Sequence, residues 1–549
     1  MTSVLHLYNG WYTERLSWTP PFQTQLSVTF SFSLQVQSPR TMAGGVYIDA
    51  NVDLNSAPTE GSKTYAIIVC VFASLGGIFF GYDQGVTGGV LVMSSFLKDF
   101  CENYDGNTYD ACSSSKSPSN WTNFTTTYNV LYYVGCMIGA YFGGVVADKL
   151  GRRATIFTAG FLFCVGTCLL VFTTKGNHTM ALIARVIQGV GVGNSSFSLP
   201  IFGAEMAPKE LRGMLSGFMQ MSIVTGLLMA GLINYGVQHT EWGWRTTNAV
   251  AMAFPVIVMI GIYFVPESPR WVYQHKGREA AEATLIRLRK TENVGDELKA
   301  IGDVLEEEGN GEATWKDVFH PSIRRRVFIA MALQVLQQAT GINPIFTYGG
   351  QIFKDVLGDG IGVLLLLQII NFLSTIPAMY WVDKTGRRTL LLLGGAGMVF
   401  GHLVSAISFS AGCHGNDKDF GCGKGPGWVM IIATAFFVFN FAISWGPVCW
   451  IYPAEIFPLK VRAKAVSLST FANWAMGALM IEIPKLFPYL HVNGVFFLFA
   501  VLCSLAGVFV YYMCPETKGV LLEDIEYLFN KDKQRHDVEN VKTPAEDKF

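Results

Sequence analysis

The sequence predicts an all-α membrane protein whose twelve transmembrane helices form two pseudo-symmetric six-helix bundles. Of its 549 residues, 50% are hydrophobic and only 15% are charged, whereas about 25% of the residues in a soluble domain are charged. The apolar residues are gathered into twelve long runs, and a helix that crosses a bilayer needs about 20 mainly apolar residues. Three short polar motifs also recur, in the same order, in the two halves of the chain.

The twelve apolar runs are numbered span 1 to span 12 in chain order. Strands of an outer-membrane barrel would alternate apolar and polar residues over about ten positions, and buried helices of soluble proteins rarely stay apolar for so long. We therefore predict transmembrane helices at 64–90, 124–147, 154–174, 179–204, 211–235, 246–266, 326–352, 361–382, 389–410, 427–452, 463–487 and 493–514.

Composition and motifs exclude several classes of protein. The chain is too apolar for a disordered protein, and its 40 Lys and Arg balance its 41 Asp and Glu, which argues against a nucleic-acid partner. The sequence contains no Gly-Lys-Ser/Thr phosphate loop, no nucleophile-elbow serine and no cluster of metal ligands. We therefore expect a protein that is not an enzyme and that uses no cofactor or metal.

Basic residues determine the predicted orientation. If residue 63 is cytosolic, Lys and Arg are concentrated in the cytosolic loops, as the positive-inside rule requires, and both termini are cytosolic. Residues 1–41 are interpreted as a candidate upstream extension, because Met-Ala-Gly-Gly at 42–45 resembles a natural start. The predicted divisions are a tail at 1–62, a bundle at 63–266, a linker with short helices at 267–325, a second bundle at 326–514 and a tail at 515–549.

The loops on the outer side carry candidates for disulfides and glycans. An oxidising environment on that side allows disulfides, and four cysteines there allow three pairings: Cys101, Cys112, Cys413 and Cys422. Three Asn-X-Thr sequons on the same side are glycosylation candidates, headed by Asn120, Asn123 and Asn177.

The repeated motifs lie at the cytosolic ends of the spans. Asp-x-x-Gly-Arg-Arg follows spans 2 and 8, Glu with Arg seven residues later closes spans 4 and 10, and Pro-Glu-Ser or Pro-Glu-Thr ends spans 6 and 12. Duplicated halves are typical of transporters that rock around a central site, and such charges form strong pairs. We predict a cytosolic gate network of Asp148, Arg152, Arg153, Glu205, Arg212, Glu267, Asp383, Arg387, Arg388, Glu455, Arg462 and Glu516. The alternative is that these loops only set the topology.

These motifs resemble those of the sugar porter family of the major facilitator superfamily. The resemblance includes Pro-Glu-Ser-Pro-Arg-Trp at 266–271, Gln-Gln-Ala-Thr-Gly-Ile-Asn at 337–343 and Pro-Ala-Glu-Ile-Phe-Pro at 453–458. Gly-Tyr-Asp-Gln-Gly-Val-Thr-Gly-Gly at 81–89 is similar to the segment in plant and algal monosaccharide–proton symporters. The resemblance extends from residue 42 to about residue 525. It implies the major facilitator fold and a monosaccharide substrate.

A sugar site needs groups that both donate and accept hydrogen bonds, together with an aromatic ring against one face of the sugar. Asn343 would lie away from the other amides of span 7 on a straight helix, but Gly341 and Pro344 flank it, and proline kinks a helix. A break there would return Asn343 to the same site. The other amides form one polar stripe at helical spacing, made of Gln334, Gln337 and Gln338.

The resemblance implies sugar contacts from spans 1, 5, 7, 8, 10 and 11. The alternative for any single amide inside the membrane is a hydrogen bond between helices. By the family pattern the substrate-binding residues are Phe80, Gln220, Gln337, Gln338, Asn343, Asn371, Trp450 and Asn473.

Two ionisable residues lie well inside the predicted spans, Asp83 in span 1 and Arg185 in span 4. Charge inside a bilayer is costly and indicates function. Lipid burial favours the neutral acid, whereas a nearby Arg favours the charged acid, so movement of Arg185 would switch the protonation of Asp83. By resemblance, facilitative animal relatives typically have Asn at position 83, which favours proton coupling here. The alternative is a permanent structural ion pair.

We therefore predict proton-coupled uptake of monosaccharides by alternating access, with a hexose such as glucose as the expected substrate and the plasma membrane as the expected location. Two alternatives stay open. A facilitative hexose carrier would not respond to a pH gradient, and a sugar sensor would bind without transport. Such sensors often have a long cytosolic tail, whereas the predicted tail at 515–549 is short. We expect a functional monomer whose partners are sugar, protons and the lipid bilayer.

Overall fold

Helices form all twelve predicted spans. The computed structural model describes residues 63–113, 117–207, 212–307, 314–412, 424–520 and 525–529, and these residues contain helices but no strand. Several predictions lie outside the described residues: the tail at 1–62, Cys413 and Cys422, the side chain of Arg212, and most of the tail at 515–549.

Four of the spans are interrupted helices. Eight helical stretches within the described ranges are long and apolar enough to cross a membrane by length and composition. The last of them, Lys460–Met513, contains both span 11 and span 12, and the helices of spans 4, 6 and 7 are not among the eight. The twelve spans are Lys63–Ser74 with Gly76–Val90, Ser119–Leu150, Arg152–Val171, His178–Met206, Arg212–Val237, Gly243–Ala251 with Ala253–Gly261, Pro321–Ala339 with Ile342–Leu357, Gly360–Thr385, Arg387–Gly412, Lys424–Ile443 with Trp445–Ile456, Leu459–Met480 and Phe487–Met513.

Each half of the chain builds most of its own hydrophobic core. Phe163 is fully buried in the first half, and Leu333 and Phe437 are fully buried in the second. Other faces of the spans present large apolar side chains, among them Ile260 and Phe400, which are both 61% exposed in the protein alone. A bilayer covers such side chains and removes them from water. The architecture is therefore an all-α membrane fold.

Four short helices connect the halves: Pro269–Lys276, Arg278–Arg289, Gly295–Glu307 and Trp315–Val318. The first three share a small apolar core that includes Trp271 and Leu285. Arg289 attaches them to the end of span 4, because its guanidinium donates to the Met206 carbonyl at 3.1 Å while it pairs with Glu297 at 2.7 Å. The linker is therefore a packed layer beside the spans in its described part.

The two ends of the bundle are distinguished by their loops. The motif end carries the two Asp-x-x-Gly-Arg-Arg segments, at 148–153 and 383–388. The disulfide end carries short helices within 94–113, where a disulfide joins Cys101 to Cys112. Among the three pairings that the sequence leaves open, this disulfide belongs to the one in which Cys101 pairs with Cys112.

Asp99 attaches the disulfide-end loop to the neighbouring spans. Its carboxylate accepts a hydrogen bond from the indole of Trp244 at 3.0 Å, and it pairs with Arg245 and, at 3.1 Å, with Lys175. Burial alone would raise the pKa of Asp99, but these hydrogen bonds and charges hold it below its ordinary value. These contacts of ionised Asp99 therefore stabilise the folded protein at a pH above the ordinary pKa of an aspartate. Their contribution is lost as the pH falls through the lowered pKa of Asp99.

Candidate functional site

A cavity lined by amide and apolar side chains lies between the two halves, in the middle of the spans. It encloses about 80 Å³, so the surrounding side chains lie close together. Its lining includes seven of the eight sugar contacts predicted from the sequence: Phe80, Gln220, Gln337, Gln338, Asn343, Asn371 and Trp450. Asn473 is not part of the lining.

A break in span 7 gives the cavity its cluster of amides. Gly341 has φ +87°, a left-handed conformation that favours glycine, and it separates Pro321–Ala339 from Ile342–Leu357. The break places Asn343 beside Gln338, and Nδ2 of Asn343 donates a hydrogen bond to Oε1 of Gln338 at 2.6 Å. The two parts of span 7 therefore face the cavity together.

Asn473 lies behind the cavity and holds its glutamines. It is fully buried, and its Nδ2 donates to Oε1 of Gln337 at 2.8 Å and to Oε1 of Gln334 at 2.6 Å. Its Oδ1 accepts from Nε2 of Gln338 at 2.7 Å. In the described structure Asn473 therefore contacts the three glutamines of span 7 and is not among the residues that line the cavity.

Gln334 forms a hydrogen bond with the backbone of span 10 and does not line the cavity. Its Nε2 donates at 2.8 Å to the carbonyl of Cys449. In a helix that carbonyl would accept from the amide four residues later, but Pro453 occupies that position and has no N–H. Gln334 therefore supplies a hydrogen bond that proline removes, although it belongs to the predicted polar stripe.

Aromatic rings from both halves cover one side of the cavity. The ring of Phe80, from the first half, lies 6.2 Å from Trp450 and 5.3 Å from Trp474, centroid to centroid. The Nε1 of Trp474 donates to the hydroxyl of Ser196 at 3.1 Å. Trp474 lines the cavity but is absent from the predicted set, although its position next to Asn473 was a usable signal.

Two further polar groups face the cavity. Asn371 lines it, and its buried Oδ1 has no hydrogen-bond partner among the described residues, so this acceptor is available to a ligand hydroxyl. Gln84 also lines the cavity and is absent from the predicted set. It immediately follows Asp83, which was the signal in the sequence.

Asp83 and Arg185 form a buried ion pair next to the cavity. Arg185 Nη1 lies 2.9 Å from Asp83 Oδ1, and both side chains are 2% exposed. The guanidinium also donates to Gln188 at 3.2 Å and to Thr87 at 3.2 Å, and it lies over the ring of Tyr132 at 4.4 Å. Oδ2 of Asp83 is buried without a hydrogen-bond partner in the described part of the chain. The ion pair with Arg185 therefore occupies only one of the two carboxylate oxygens of Asp83.

The residues of the predicted gate network form two matching sets, one in each half. In the first half Arg152 pairs with Glu205 at 3.0 Å, and the carboxylate of Glu267 accepts from the backbone amides of Arg152 and Arg153 at 3.0 and 3.1 Å. Because Gly151 has φ +92°, span 3 begins in a sharp turn that Glu267 caps. Burial raises the pKa of Glu267, against the lowering effect of the backbone hydrogen bonds.

The second half repeats this arrangement. Arg387 pairs with Glu455 at 2.8 Å and with Asp383 at 3.2 Å, while Glu516 accepts from the amides of Arg387 and Arg388 at 2.8 and 3.0 Å. Arg462 donates to the Phe457 carbonyl at 2.9 and 3.1 Å. Each of these contacts stays within its own half.

Contacts between the halves close the motif end. Lys464 pairs with Asp148 at 2.5 Å, which is the one ion pair in the described residues that joins the halves at this end, and Lys464 is not in the predicted network. Beside it, the hydroxyl of Ser467 donates to the Ala140 carbonyl at 2.7 Å. The disulfide end is open by comparison, with a cavity of about 400 Å³ lined by residues of both halves, among them Trp121 and Gln351.

Residues 69–529 match the family described as "Sugar (and other) transporter". Sugar transport protein 10 of Arabidopsis thaliana is 31% identical over 497 residues, which cover 88% of this chain and 94% of that protein. The glucose transporter GlcP of Staphylococcus epidermidis is 33% identical over 85% of this chain and 97% of its own length.

Solved structures show the same fold. The proton:xylose symporter XylE, bound to 6-bromo-6-deoxy-D-glucose, is 27% identical, has a TM-score of 0.71 and is covered over its full length by 85% of this chain. An inward-open conformation of the xylose transporter XylE from E. coli gives a TM-score of 0.65. The relatives are therefore membrane transporters with this helical architecture.

Proposed function

This chain belongs to the sugar transporter family of the major facilitator superfamily, and from that membership we propose that it takes up monosaccharides together with protons by alternating access. Its fold is the twelve-helix major facilitator fold, and the chain is a transporter rather than an enzyme. The observation that carries proton coupling is the buried Asp83–Arg185 pair beside an amide-lined cavity. The names of the relatives indicate glucose or xylose as the class of sugar.

The cavity supplies the groups that a monosaccharide needs. Amides at 220, 337, 338, 343 and 371 offer donors and acceptors to the hydroxyls, and the ring of Trp450 covers an apolar face of the sugar. Because Asn473 holds the glutamine side chains in place before the sugar binds, binding loses less side-chain conformational entropy.

Proton coupling follows from the position of the acid. Oδ1 of Asp83 is held by Arg185, whereas Oδ2 has no partner in the described residues. A proton on Oδ2 neutralises the acid and weakens the pair, so that Arg185 is then held mainly by Gln188 and the tyrosine rings, which it already contacts. Gln84 follows Asp83 on the same helix and lines the sugar cavity, so the sugar and the proton share one segment of span 1.

The described conformation is assigned as outward-facing. The disulfide end is open through the larger cavity, and the halves meet at the motif end through Lys464 and Asp148. We assign the motif end to the cytosol, with both termini, and place the protein in the plasma membrane as a monomer in lipid. The divisions at 63–266 and 326–514 are the two bodies proposed to rock.

Uptake of labelled glucose by the purified protein in liposomes tests this function. We expect accumulation above the outside concentration when the inside is more alkaline, and only equilibration when a protonophore removes the gradient. Equal uptake in both conditions would mean a facilitative carrier. Binding without any uptake would mean a sensor. Unlabelled glucose, xylose and a polyol as competitors then rank the substrates.

Breaking the bridge between the halves is expected to slow transport. The Lys464–Asp148 pair is partly exposed, with side chains 14% and 26% accessible, and such a pair contributes about 1 kcal/mol or less. Lys464→Glu also adds repulsion, so we expect the maximal uptake rate to fall about fivefold, as the outward-facing state is destabilised.

Exchanging the two charges tests the same contact. Asp148→Lys combined with Lys464→Glu is expected to recover most of the uptake rate, whereas Lys175→Ala, which removes an exposed lysine paired with Asp99 within one half, is expected to leave it unchanged. Native uptake in Lys464→Glu, or no recovery in the double variant, contradicts the role of this bridge.

The three sequons differ in their surroundings. The Asn120 amide donates to Asn107 and to the Tyr104 carbonyl, within 3.5 Å. Asn123 lines the cavity at the disulfide end, where a glycan would obstruct the proposed route. Asn177 is exposed, and its Oδ1 accepts a hydrogen bond from the Met180 amide at 3.1 Å.

We therefore expect any N-linked glycan on Asn177. Asn177→Gln is expected to remove the mobility shift that glycosidase treatment causes on a gel of the protein from eukaryotic cells. Asn120→Gln and Asn123→Gln serve as controls and are expected to keep the shift. A shift that survives Asn177→Gln and disappears in either control would show that the glycan is elsewhere.

A further inference from the structure

The break at Gly341, together with Pro344, leaves one carbonyl of span 7 without a helical donor. A helical carbonyl accepts from the amide four residues later, so the carbonyl of Thr340 would need an N–H at position 344, where proline has none. This carbonyl lies at the break beside Gly341, between the residues that present Gln338 and Asn343 to the cavity. An unpaired carbonyl in the interior of a membrane protein is costly.

His402 of span 9 provides the missing donor. Its Nε2 lies 2.9 Å from the carbonyl oxygen of Thr340, and because a carbonyl oxygen only accepts, Nε2 carries the hydrogen. The side chain is 1% exposed, and its ring lies 4.1 Å from Phe437 and 5.5 Å from Phe499. Nδ1 has no partner among the described residues, as expected for the unprotonated nitrogen of a neutral imidazole.

The same group of rings also fixes the glycine of the break. A Cβ atom on Gly341 would lie 2.7 Å from the ring of Phe499, so this ring occupies the space that the missing side chain leaves. Phe499 in turn lies next to His402. The break of span 7 is therefore held from span 12 by packing and from span 9 by a hydrogen bond.

We infer that His402 is a positioning residue of the sugar site. Its hydrogen bond to the Thr340 carbonyl holds the break of span 7 in the geometry that brings Asn343 against Gln338. His402 does not line the cavity, so it acts on the sugar only through span 7. The inference rests on the proposed function, because it assigns a role in binding the transported sugar.

Substitution by residues with and without a donor tests this role. In liposomes, His402→Leu is expected to raise the half-saturating sugar concentration about tenfold, because the carbonyl loses its partner and the break relaxes. The maximal rate should change much less. His402→Gln is expected to stay near the native value, since its amide nitrogen can donate in the same direction. Ser405→Ala is the matched control, because Ser405 lies on the same span as His402 and its buried hydroxyl is bonded to Thr434 of span 10.

A second variant separates folding from positioning. Adding Pro344→Ala to His402→Leu provides an amide that can donate to the Thr340 carbonyl once Gly341 leaves its left-handed conformation and the helix closes, which turns Asn343 away from Gln338. The double variant is expected to recover the thermal unfolding temperature that His402→Leu loses, but not the sugar affinity. Native affinity in His402→Leu, failure of His402→Gln to preserve it, or recovery of affinity in the double variant overturns the inference.

Failure of the proposed function has a different signature. In that case the native protein itself shows no saturable sugar uptake. The unfolding temperatures of His402→Leu and His402→Gln then still decide whether the hydrogen bond holds the break, with equal temperatures in the two variants counting against it.

Discussion

Asp83→Asn is expected to abolish proton-driven sugar accumulation. The amide keeps the shape of the acid and can still accept a hydrogen bond from Arg185, but it cannot take up a proton at the position of Oδ2. When sugar is added to unbuffered cells that produce the variant, the medium should show no alkalinisation, and sugar should equilibrate without being concentrated. Exchange of labelled for unlabelled sugar should persist, because the cavity is unchanged.

The matched control for this variant is Glu482→Gln. Glu482 is also an acid near the spans, but it pairs with Lys485 close to the disulfide end, and both side chains are substantially exposed. Its neutralisation is expected to leave alkalinisation and accumulation at native levels. If Asp83→Asn retains both signals, Asp83 is a structural partner of Arg185 and the proton is carried elsewhere.

Asn473→Leu is expected to have the second large effect. Leucine has a similar size, yet it removes at once the donor to Gln334 and Gln337 and the acceptor for Gln338. Each buried polar group that loses its partner costs about 1–3 kcal/mol, so we expect the half-saturating sugar concentration to rise about 100-fold. Labelled glucose uptake over a wide concentration range measures this change.

Asn248→Leu provides the comparison. Asn248 is just as buried, but its amide donates at 2.7 Å to the Trp244 carbonyl of its own helix, away from the cavity. A modest loss of protein yield with unchanged sugar affinity is the expected result. Asn473 would lose its role if its variant bound sugar as tightly as Asn248→Leu, once equal amounts of folded protein had been compared.

Much of the fold follows from the sequence because its causes are local. Long apolar runs determine the spans, and Gly341 with Pro344 is enough to indicate the break in span 7. The repeated motifs identify Glu267 and Glu516 as equivalents, but their action as caps on spans 3 and 9 depends on tertiary contacts. The capping contacts join residues more than 100 positions apart, and a single sequence does not specify such pairs.

The sequence indicates most of the residues that line the cavity, but it does not indicate which group each of them contacts. An amide on a polar stripe can face a ligand or a distant backbone carbonyl, and only the tertiary arrangement decides between them. Gln334 and Asn473 both belong to this ambiguous class, and both face protein groups. Lys464 was not predicted to be part of the network, because its partner Asp148 lies in the other half of the chain and only the tertiary arrangement brings the two together.

The two tryptophan rings next to Phe80 give the protein an intrinsic fluorescent probe at the cavity. Trp450 and Trp474 both line the cavity, so a sugar that enters it changes the polarity around two indoles. Intrinsic fluorescence at equilibrium therefore reports occupancy without an attached dye and without transport. Replacing one tryptophan at a time by phenylalanine assigns the signal to Trp450 or to Trp474. The same signal allows titration of ligands whose transport is too slow, or whose binding is too weak, to be followed by flux.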